Sequence, residues 1–186
     1  MIVTTDFKGG LKIEVEGEPY TIVDYDHVKP GKGGSFVRTK LKNMKTGKQL
    51  EKTFRSGEKF EEPDMAEREM QFLYAEGTAY HFMDAHTYEQ TFLTDDQLGA
   101  SKDFLKENMV VTILFYRGKP LMVDLPTFVE LKIIETASGA RGDTATGGNK
   151  PAKLETGGVV KVPLYIEEGT VIKVDTRTGT YIERVK

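Results

Sequence analysis

Residues 19–41 read Pro-Tyr-Thr-Ile-Val-Asp-Tyr-Asp-His-Val-Lys-Pro-Gly-Lys-Gly-Gly-Ser-Phe-Val-Arg-Thr-Lys-Leu. Two strand-like stretches, residues 19–25 and 35–41, flank a segment rich in glycine and proline, and this pattern predicts a β-hairpin. Lys32 stands at the centre of the loop, with Pro30-Gly31 before it and Gly33-Gly34 after it. A lysine in such a loop has few neighbours to pack on and contributes little to a fold. We therefore expect its ammonium group to contact another molecule.

Further strand-like segments lie on both sides of this hairpin. A second hairpin turn is predicted at Lys45–Lys48, and one short helical patch, Thr94–Glu107, begins with Thr94 as its cap and Asp95-Asp96 in its first turn. The other predicted strands are Leu11–Val15, Gln49–Phe54, Met70–Tyr74, Ala79–Met83, Met109–Tyr116, Phe128–Thr136, Val159–Val162, Thr170–Asp175 and Thr180–Val185. Many short strands joined by glycine-rich turns predict an all-β chain built from small barrels.

Three segments follow from the breaks near Pro63 and Pro126. They are residues 1–64, 65–127 and 128–186. The middle segment has the five or so strands and the single short helix that an OB barrel needs. No short exact repeat relates it to the last segment, so the sequence leaves open whether the two are related folds.

The composition restricts the class of protein. The 186 residues include no cysteine, which excludes disulfides, thiolate nucleophiles and cysteine-bound zinc. No apolar run approaches the roughly 18 residues of a membrane span. The start, Met-Ile-Val-Thr-Thr-Asp, lacks the basic and apolar regions of a signal peptide. These features predict a cytoplasmic protein without a membrane partner.

The net charge of −3 hides an uneven distribution. Residues 27–59 carry ten basic and two acidic side chains, whereas residues 65–127 carry five basic and ten acidic ones. Arg38, Lys40 and Lys42 share one face of the predicted second hairpin arm, because side chains alternate along a strand. Such a basic stretch favours a polyanion partner. A solvated sheet edge, which lysines protect from aggregation, is equally compatible with the charge alone.

No self-contained active site is apparent. His27, His81 and His86 do not have a metal-ligand spacing, and His81 and His86 are more typical of surface or half-buried residues. The segment Gly142–Gly148 lacks the Gly-Lys-Ser/Thr ending of a phosphate-binding loop. An exposed lysine is a poor nucleophile unless it is desolvated. We therefore expect no catalytic residue, metal or cofactor, and favour binding of RNA by the barrels.

The lysine loop resembles the N-terminal domain of the bacterial translation elongation factor P family. The similarity rests on Lys29–Gly33, on Phe36-Val37-Arg38 and on the strand Lys40–Asn43, and it extends in order along the whole chain. Its other parts are Glu51–Glu58, Phe82-Met83-Asp84, Thr87–Gln90, Gly142-Asp143-Thr144, Lys150-Pro151-Ala152, Val160–Pro163 and Val174–Tyr181.

The resemblance implies an SH3-like (KOW-type) barrel followed by two OB barrels, arranged in an L that mimics tRNA. It implies a monomeric factor that is not an enzyme and that binds the 70S ribosome between the P and E sites, where it relieves stalling at consecutive prolines by promoting peptide-bond formation. The implied partners are P-site peptidyl-tRNA, ribosomal RNA and mRNA in the E site.

The resemblance also assigns roles to single residues. Lys32 matches the tip residue that reaches the acceptor end of P-site tRNA, and in many members a lysine-modifying enzyme extends it covalently. Lys29, Pro30, Gly31, Gly33 and Gly34 form the supporting loop. Gly142, Asp143 and Thr144 match a loop that meets the E-site codon, and Tyr181 and Arg184 match residues that approach the tRNA.

Several of these residues have a plainer interpretation. Arg38, Lys40 and Lys42 are also compatible with a solvated strand face, Asp143 with a side chain that caps its own turn, and Tyr181 with a core position. A general single-strand RNA-binding protein of the OB class is the alternative function. In such a protein Lys32 would be one charge among ten, whereas in the translation factor its loss would abolish activity out of proportion to affinity.

Overall fold

The computed structural model describes residues 1–138 and 148–186. It is all-β apart from short helical turns, as the sequence predicts, and its sheets are barrel-like. Strands β2, β3, β4 and β5 form an antiparallel sheet in that order, and β1 pairs with β6. The bounds are Ile2–Val3 (β1), Lys12–Val15 (β2), Glu18–Val28 (β3), Phe36–Asn43 (β4), Gln49–Arg55 (β5) and Lys59–Phe60 (β6), with a 3₁₀ turn at Thr4–Asp6.

The core of this first sheet follows from the alternation in β4. Val37, Thr39 and Leu41 are buried, while the residues between them face solvent. Around them pack the buried apolar residues Phe7, Ile13, Val15, Ile22, Phe54 and Phe60, with the rings of Phe54 and Phe60 centred 4.7 Å apart. The predicted arms of the lysine hairpin are thus confirmed. The break predicted near Pro63 is preceded by a short strand at Lys59–Phe60, because Phe60 belongs to this core.

The second sheet has the order β11-β10-β7-β8-β9. Thr94 caps the helix as predicted, since its hydroxyl accepts a hydrogen bond from the Gln97 amide and the Gln97 side chain accepts one from the Thr94 amide. The helix ends early because Gly99, at φ +53°, leaves the helical conformation. The bounds are Met65–Glu76 (β7), Ala79–Asp84 (β8), Gln90–Thr94 (β9), Asp95–Leu98 (α1), a 3₁₀ segment at Gly99–Phe104, Val110–Tyr116 (β10) and Lys119–Asp124 (β11).

The third sheet has the order β14-β13-β12-β15-β16. Its first strand, β12, lies at the centre, with the next two strands on one side and the last two on the other. The second sheet has the same arrangement around β7, so the two sheets share one topology, a relation that the sequence left open. The bounds are Phe128–Thr136 (β12), Asn149–Leu154 (β13), Val159–Pro163 (β14), Val171–Asp175 (β15) and Thr180–Arg184 (β16).

The chain forms two compact units. One contains Met1–Ala66 together with Phe115–Leu121. Within it the Tyr116 hydroxyl donates to a Glu14 carboxylate oxygen at 3.3 Å, and the guanidinium of Arg117 pairs with the same carboxylate.

The other unit contains Glu67–Leu114 and Met122–Lys186. Within it Phe104, at the end of the 3₁₀ segment, is buried in the core of the third sheet. The Thr156 hydroxyl donates to the backbone carbonyl of Asp103, and Gly158 lies against that same carbonyl. The second and third sheets therefore share core and backbone contacts.

Candidate functional site

The lysine loop projects from the end of the β3–β4 hairpin. The two strands pair continuously in register up to Val28 and Phe36, apart from one irregularity near Val23. All seven residues between them, 29–35, are exposed. Gly33 has φ +111°, a conformation that side chains rarely adopt, and a Cβ at Gly31 or Gly34 would meet no atom within 4 Å. The loop backbone is therefore open to close approach by another molecule.

The base of the loop is fixed by the core. The Ser56 amide donates to the Ser35 carbonyl at 3.0 Å, and Val37 is completely buried one residue after the last pair. The paired strands therefore hold the ends of the loop, while Lys32 lies beyond them.

Lys32 differs from Lys45 and Lys52 of the same hairpin sheet in its environment. Lys45 pairs with Glu18 at 3.0 Å and Lys52 with Glu16 at 2.5 Å. Within residues 1–138 and 148–186, the ammonium of Lys32 has no such carboxylate and no hydrogen-bond acceptor. Its charge is therefore available to an external anion or hydroxyl group.

The face that carries Arg38, Lys40 and Lys42 is exposed, as the alternation predicts. Its charge is mixed, however, and this corrects the prediction of a basic side on the hairpin. Asp26 lies opposite Arg38 in β3, Asp24 lies opposite Lys40, and Glu51 of β5 flanks Lys40 on the other side. Asp24 and Asp26 precede the basic stretch of residues 27–59 and are not part of its charge. They reach this face only because β3 pairs with β4.

The structure describes only some of the residues of the third segment that are predicted to contact mRNA or tRNA. Gly142, Asp143 and Thr144 lie outside the described residues. Tyr181 is partly buried and packs against the core of the third sheet, as its plainer interpretation predicts. Burial raises the pKa of the Tyr181 phenol, as does its hydrogen bond with the Tyr165 phenol. Arg184 is exposed at the end of β16.

The histidines fit the expectation of surface or half-buried positions. His86 is exposed, and the His81 side chain is 22% exposed and stacks on Tyr74. In the described part of the chain, no three His, Cys, Asp or Glu side chains are grouped so that they could hold a metal ion. No helix in that part is long and apolar enough to cross a membrane.

Three family models match the chain in succession. Residues 3–60 match the elongation factor P KOW-like domain, residues 65–123 the elongation factor P OB domain, and residues 129–184 the elongation factor P C-terminal domain.

Similar proteins cover the whole chain. An elongation factor P from Natranaerobius thermophilus is 59% identical over 186 residues, which is 100% of this chain and 99% of that protein. One from Thermoanaerobacter sp. is 57% identical over 185 residues, 100% of both chains. Among solved structures, eukaryotic translation initiation factor 5A from Methanococcus jannaschii aligns with a TM-score of 0.54 at 26% identity, covering 66% of this chain and 94% of that one.

Proposed function

The chain belongs to the elongation factor P family, and on this premise we propose that it binds the ribosome between the P and E sites and promotes peptide-bond formation at consecutive prolines. We propose three domains for this role, residues 1–64, 65–127 and 128–186. The observation that carries the proposal is Lys32, an exposed cation at the end of a narrow hairpin that has no partner among residues 1–138 and 148–186.

The proposed mechanism is positioning rather than chemistry by the protein itself. Proline is a constrained nucleophile, and a poorly placed peptidyl-tRNA end adds an entropic cost to its reaction. A cation that holds this end in a reactive geometry lowers that part of the barrier. The ammonium of Lys32 would contact phosphates and hydroxyls of the acceptor end, while the slender loop admits it without a bulky domain.

The other contacts follow from the same family. Gly142, Asp143 and Thr144 would meet the mRNA codon in the E site, and Arg184, with the exposed part of Tyr181, would approach the tRNA. Because Asp24, Asp26 and Glu51 partly neutralise the face of Arg38 and Lys40, we expect that face to contribute less to RNA affinity than Lys32 does. Covalent extension of Lys32 by a modifying enzyme would lengthen its reach.

The test compares two lysines of the same sheet. Lys32→Ala is expected to reduce synthesis through a polyproline stretch to the level without the protein, while ribosome affinity changes by less than about ten-fold. Lys45→Ala removes an equal charge at the far end of the sheet and is expected to retain activity. Full activity of Lys32→Ala, or no rescue by correctly modified wild type, would overturn the proposal. A proportional loss of affinity and activity in both variants would indicate a general RNA-binding protein.

The modification is tested separately by intact-mass measurement of protein from its native host, with peptide mapping across residues 29–38. An added mass on the Lys32 peptide is the expected result. A Lys32 peptide of unmodified mass from an active protein would show that the lysine acts without extension.

A further inference from the structure

Three aromatic rings form a row on the outer face of the second sheet. Tyr74 of β7 lies opposite His81 of β8, and His81 lies opposite Phe92 of β9. The rings of Tyr74 and His81 are stacked, with centroids 4.6 Å apart and planes 20° apart, and the Phe92 ring lies 6.0 Å from His81. We call these three residues the aromatic row.

The two outer rings of the aromatic row are exposed to solvent. Tyr74 is 45% exposed and Phe92 is 53% exposed. A register shift between Phe72 and Tyr74 places Tyr74 on the outer face, whereas regular alternation from the buried Met70 and Phe72 would have directed it into the core. The bulge therefore changes which face the tyrosine occupies, and it presents the ring to an external partner.

The charge around the aromatic row is negative. Glu76 lies 3.9 Å from the His81 ring, and Glu67 and Glu69 are exposed on the same strand as Tyr74. Residues 65–94 contain five acidic side chains and one basic one, Arg68, which pairs with Glu89 at 3.2 Å. An approaching phosphate would meet these carboxylates, and the three strands that carry the aromatic row, β7, β8 and β9, contain no Lys or Arg other than Arg68.

Single-strand RNA-binding barrels combine stacking rings with a basic groove. Strands β7, β8 and β9 have the rings, but Arg68 is the single Lys or Arg residue that they contain. A second copy of the same face would bring two acidic surfaces together, which disfavours self-association. A partner with guanidinium or ammonium groups suits both the exposed rings and the carboxylates around them, since such cations are attracted to aromatic faces and pair with carboxylates.

We propose that the aromatic row and its glutamates are a docking site for an arginine- or lysine-bearing protein segment. The middle barrel thereby acts as a protein-binding module, although its fold is one that often binds nucleic acid. We assign this segment to a ribosomal protein, and that assignment rests on the proposed function. The attraction of the aromatic row and its glutamates for cationic side chains does not depend on the proposed function.

The binding chemistry is tested on the free, full-length protein by NMR. An alternating arginine–glycine decapeptide is expected to shift the resonances of Tyr74, His81 and Phe92, and a decauridylate of equal concentration is expected to leave them unchanged. Shifts caused by the uridylate instead, or by neither probe, would overturn the proposal.

Matched variants test whether the rings of the aromatic row are responsible for peptide binding. Tyr74→Thr with Phe92→Thr removes both exposed rings and replaces them with threonine, a β-branched residue that favours strands. We expect it to weaken peptide affinity about ten-fold, as is usual for central aromatic contacts. Phe128 of the third sheet is 46% exposed, and Phe128→Thr, which removes its ring, should leave affinity unchanged. Glu76→Lys alters no core residue and should also weaken binding, so the test survives if the double variant misfolds. Unchanged affinity in a folded double variant, or in Glu76→Lys, would contradict the proposal.

The ribosomal partner is tested by a photoreactive benzoylphenylalanine at position 92, or at position 128 as the control, in protein bound to purified 70S ribosomes. The expected adduct joins position 92 to a peptide that contains arginine or lysine. An adduct with RNA, or equal adducts from both positions, would overturn the ribosomal assignment. If wild type binds and rescues but position 92 gives no adduct, this assignment fails while the proposed function stands. If wild type neither binds nor rescues, the proposed function fails and the peptide titration alone decides the docking chemistry.

Discussion

Tyr88 has a backbone conformation that favours glycine. Its φ is +60°, and the residue is 71% exposed in the loop between β8 and β9. The loop is held by Asp84, whose carboxylate accepts hydrogen bonds from the amides of His86 at 2.8 Å and Thr87 at 3.1 Å, while the Tyr88 amide donates to the Asp84 carbonyl. These bonds offset the conformational cost at residue 88.

Comparison of Tyr88→Gly with Tyr88→Ala isolates that cost. Both variants remove the exposed ring, but only glycine adopts the positive φ without a steric penalty. We expect the glycine variant to be the more stable by about 1 kcal/mol, measured by urea unfolding. An alanine variant as stable as the glycine variant would show that the backbone at residue 88 relaxes freely.

Asp84 gives the same loop a pH dependence. The hydrogen bonds from the His86 and Thr87 amides lower the pKa of the Asp84 carboxyl in the folded protein. A group whose pKa is depressed on folding stabilises the protein above its unfolded pKa, about 3.9 for Asp, and loses that contribution as the pH falls through the folded value.

We therefore expect wild type to be more stable than Asp84→Asn at pH 7, and this difference to shrink below about pH 4. The amide oxygen of asparagine still accepts a hydrogen bond but does not titrate. Because the two proteins share every other carboxyl group, the titration of those groups contributes equally to both free energies of unfolding. Urea unfolding of both proteins from pH 7 to pH 3 measures it. A difference that is independent of pH would mean that the charge of Asp84 is irrelevant to the loop.

At the scale of elements, the lysine hairpin combines hydrogen-bonded arms with an exposed loop. The arms pair over most of their length, while residues 30–34 are exposed and rich in glycine. We expect those five residues to move on the picosecond–nanosecond timescale, more widely than β3 and β4. Backbone ¹⁵N relaxation measures this. Order parameters in the loop equal to those of the strands would contradict it.

The elements show how far a sequence specifies this fold. Strands with clear alternation, such as β4, and the capped helix start at Thr94 were predicted correctly, because each signal lies within a few adjacent residues. The two-residue strands β1 and β6 are too short to have a period. Strand β13 contains Pro151, which disfavours a strand assignment.

The features missed at the candidate sites depend on pairing between strands. Asp24 and Asp26 approach Arg38 and Lys40 only when β3 pairs with β4. Tyr74 reaches the outer face only because of a bulge in β7. Neither effect has a signature in the local sequence, whereas the exposed position of Lys32 follows directly from Pro30 and the three glycines around it.

At the scale of the whole molecule, the close approach of Gly158 to Asp103 joins the second and third sheets. A substitution at Gly158 tests how much this contact contributes to the stability of the protein. A Cβ at residue 158 would lie 2.5 Å from the Asp103 carbonyl oxygen. Gly158→Ala is expected to destabilise the protein by about 1–3 kcal/mol, measured by urea unfolding.

Gly34→Ala is the control, because a Cβ there meets no atom within 4 Å. It should change stability by no more than about 0.5 kcal/mol. Equal stability of the two variants would show that the backbones at residues 103 and 158 separate without cost.

The burial of Phe104 in the third sheet's core has a consequence for the order of folding. Synthesis proceeds from the N-terminus, so residue 104 is complete before any strand of the barrel that it fills has been made. Until β12 to β16 have emerged, this ring has no core to enter and is exposed to the solvent or to a chaperone. The last barrel therefore closes around a side chain contributed by an earlier part of the chain, and a nascent protein interrupted near residue 127 would be prone to aggregation at that ring.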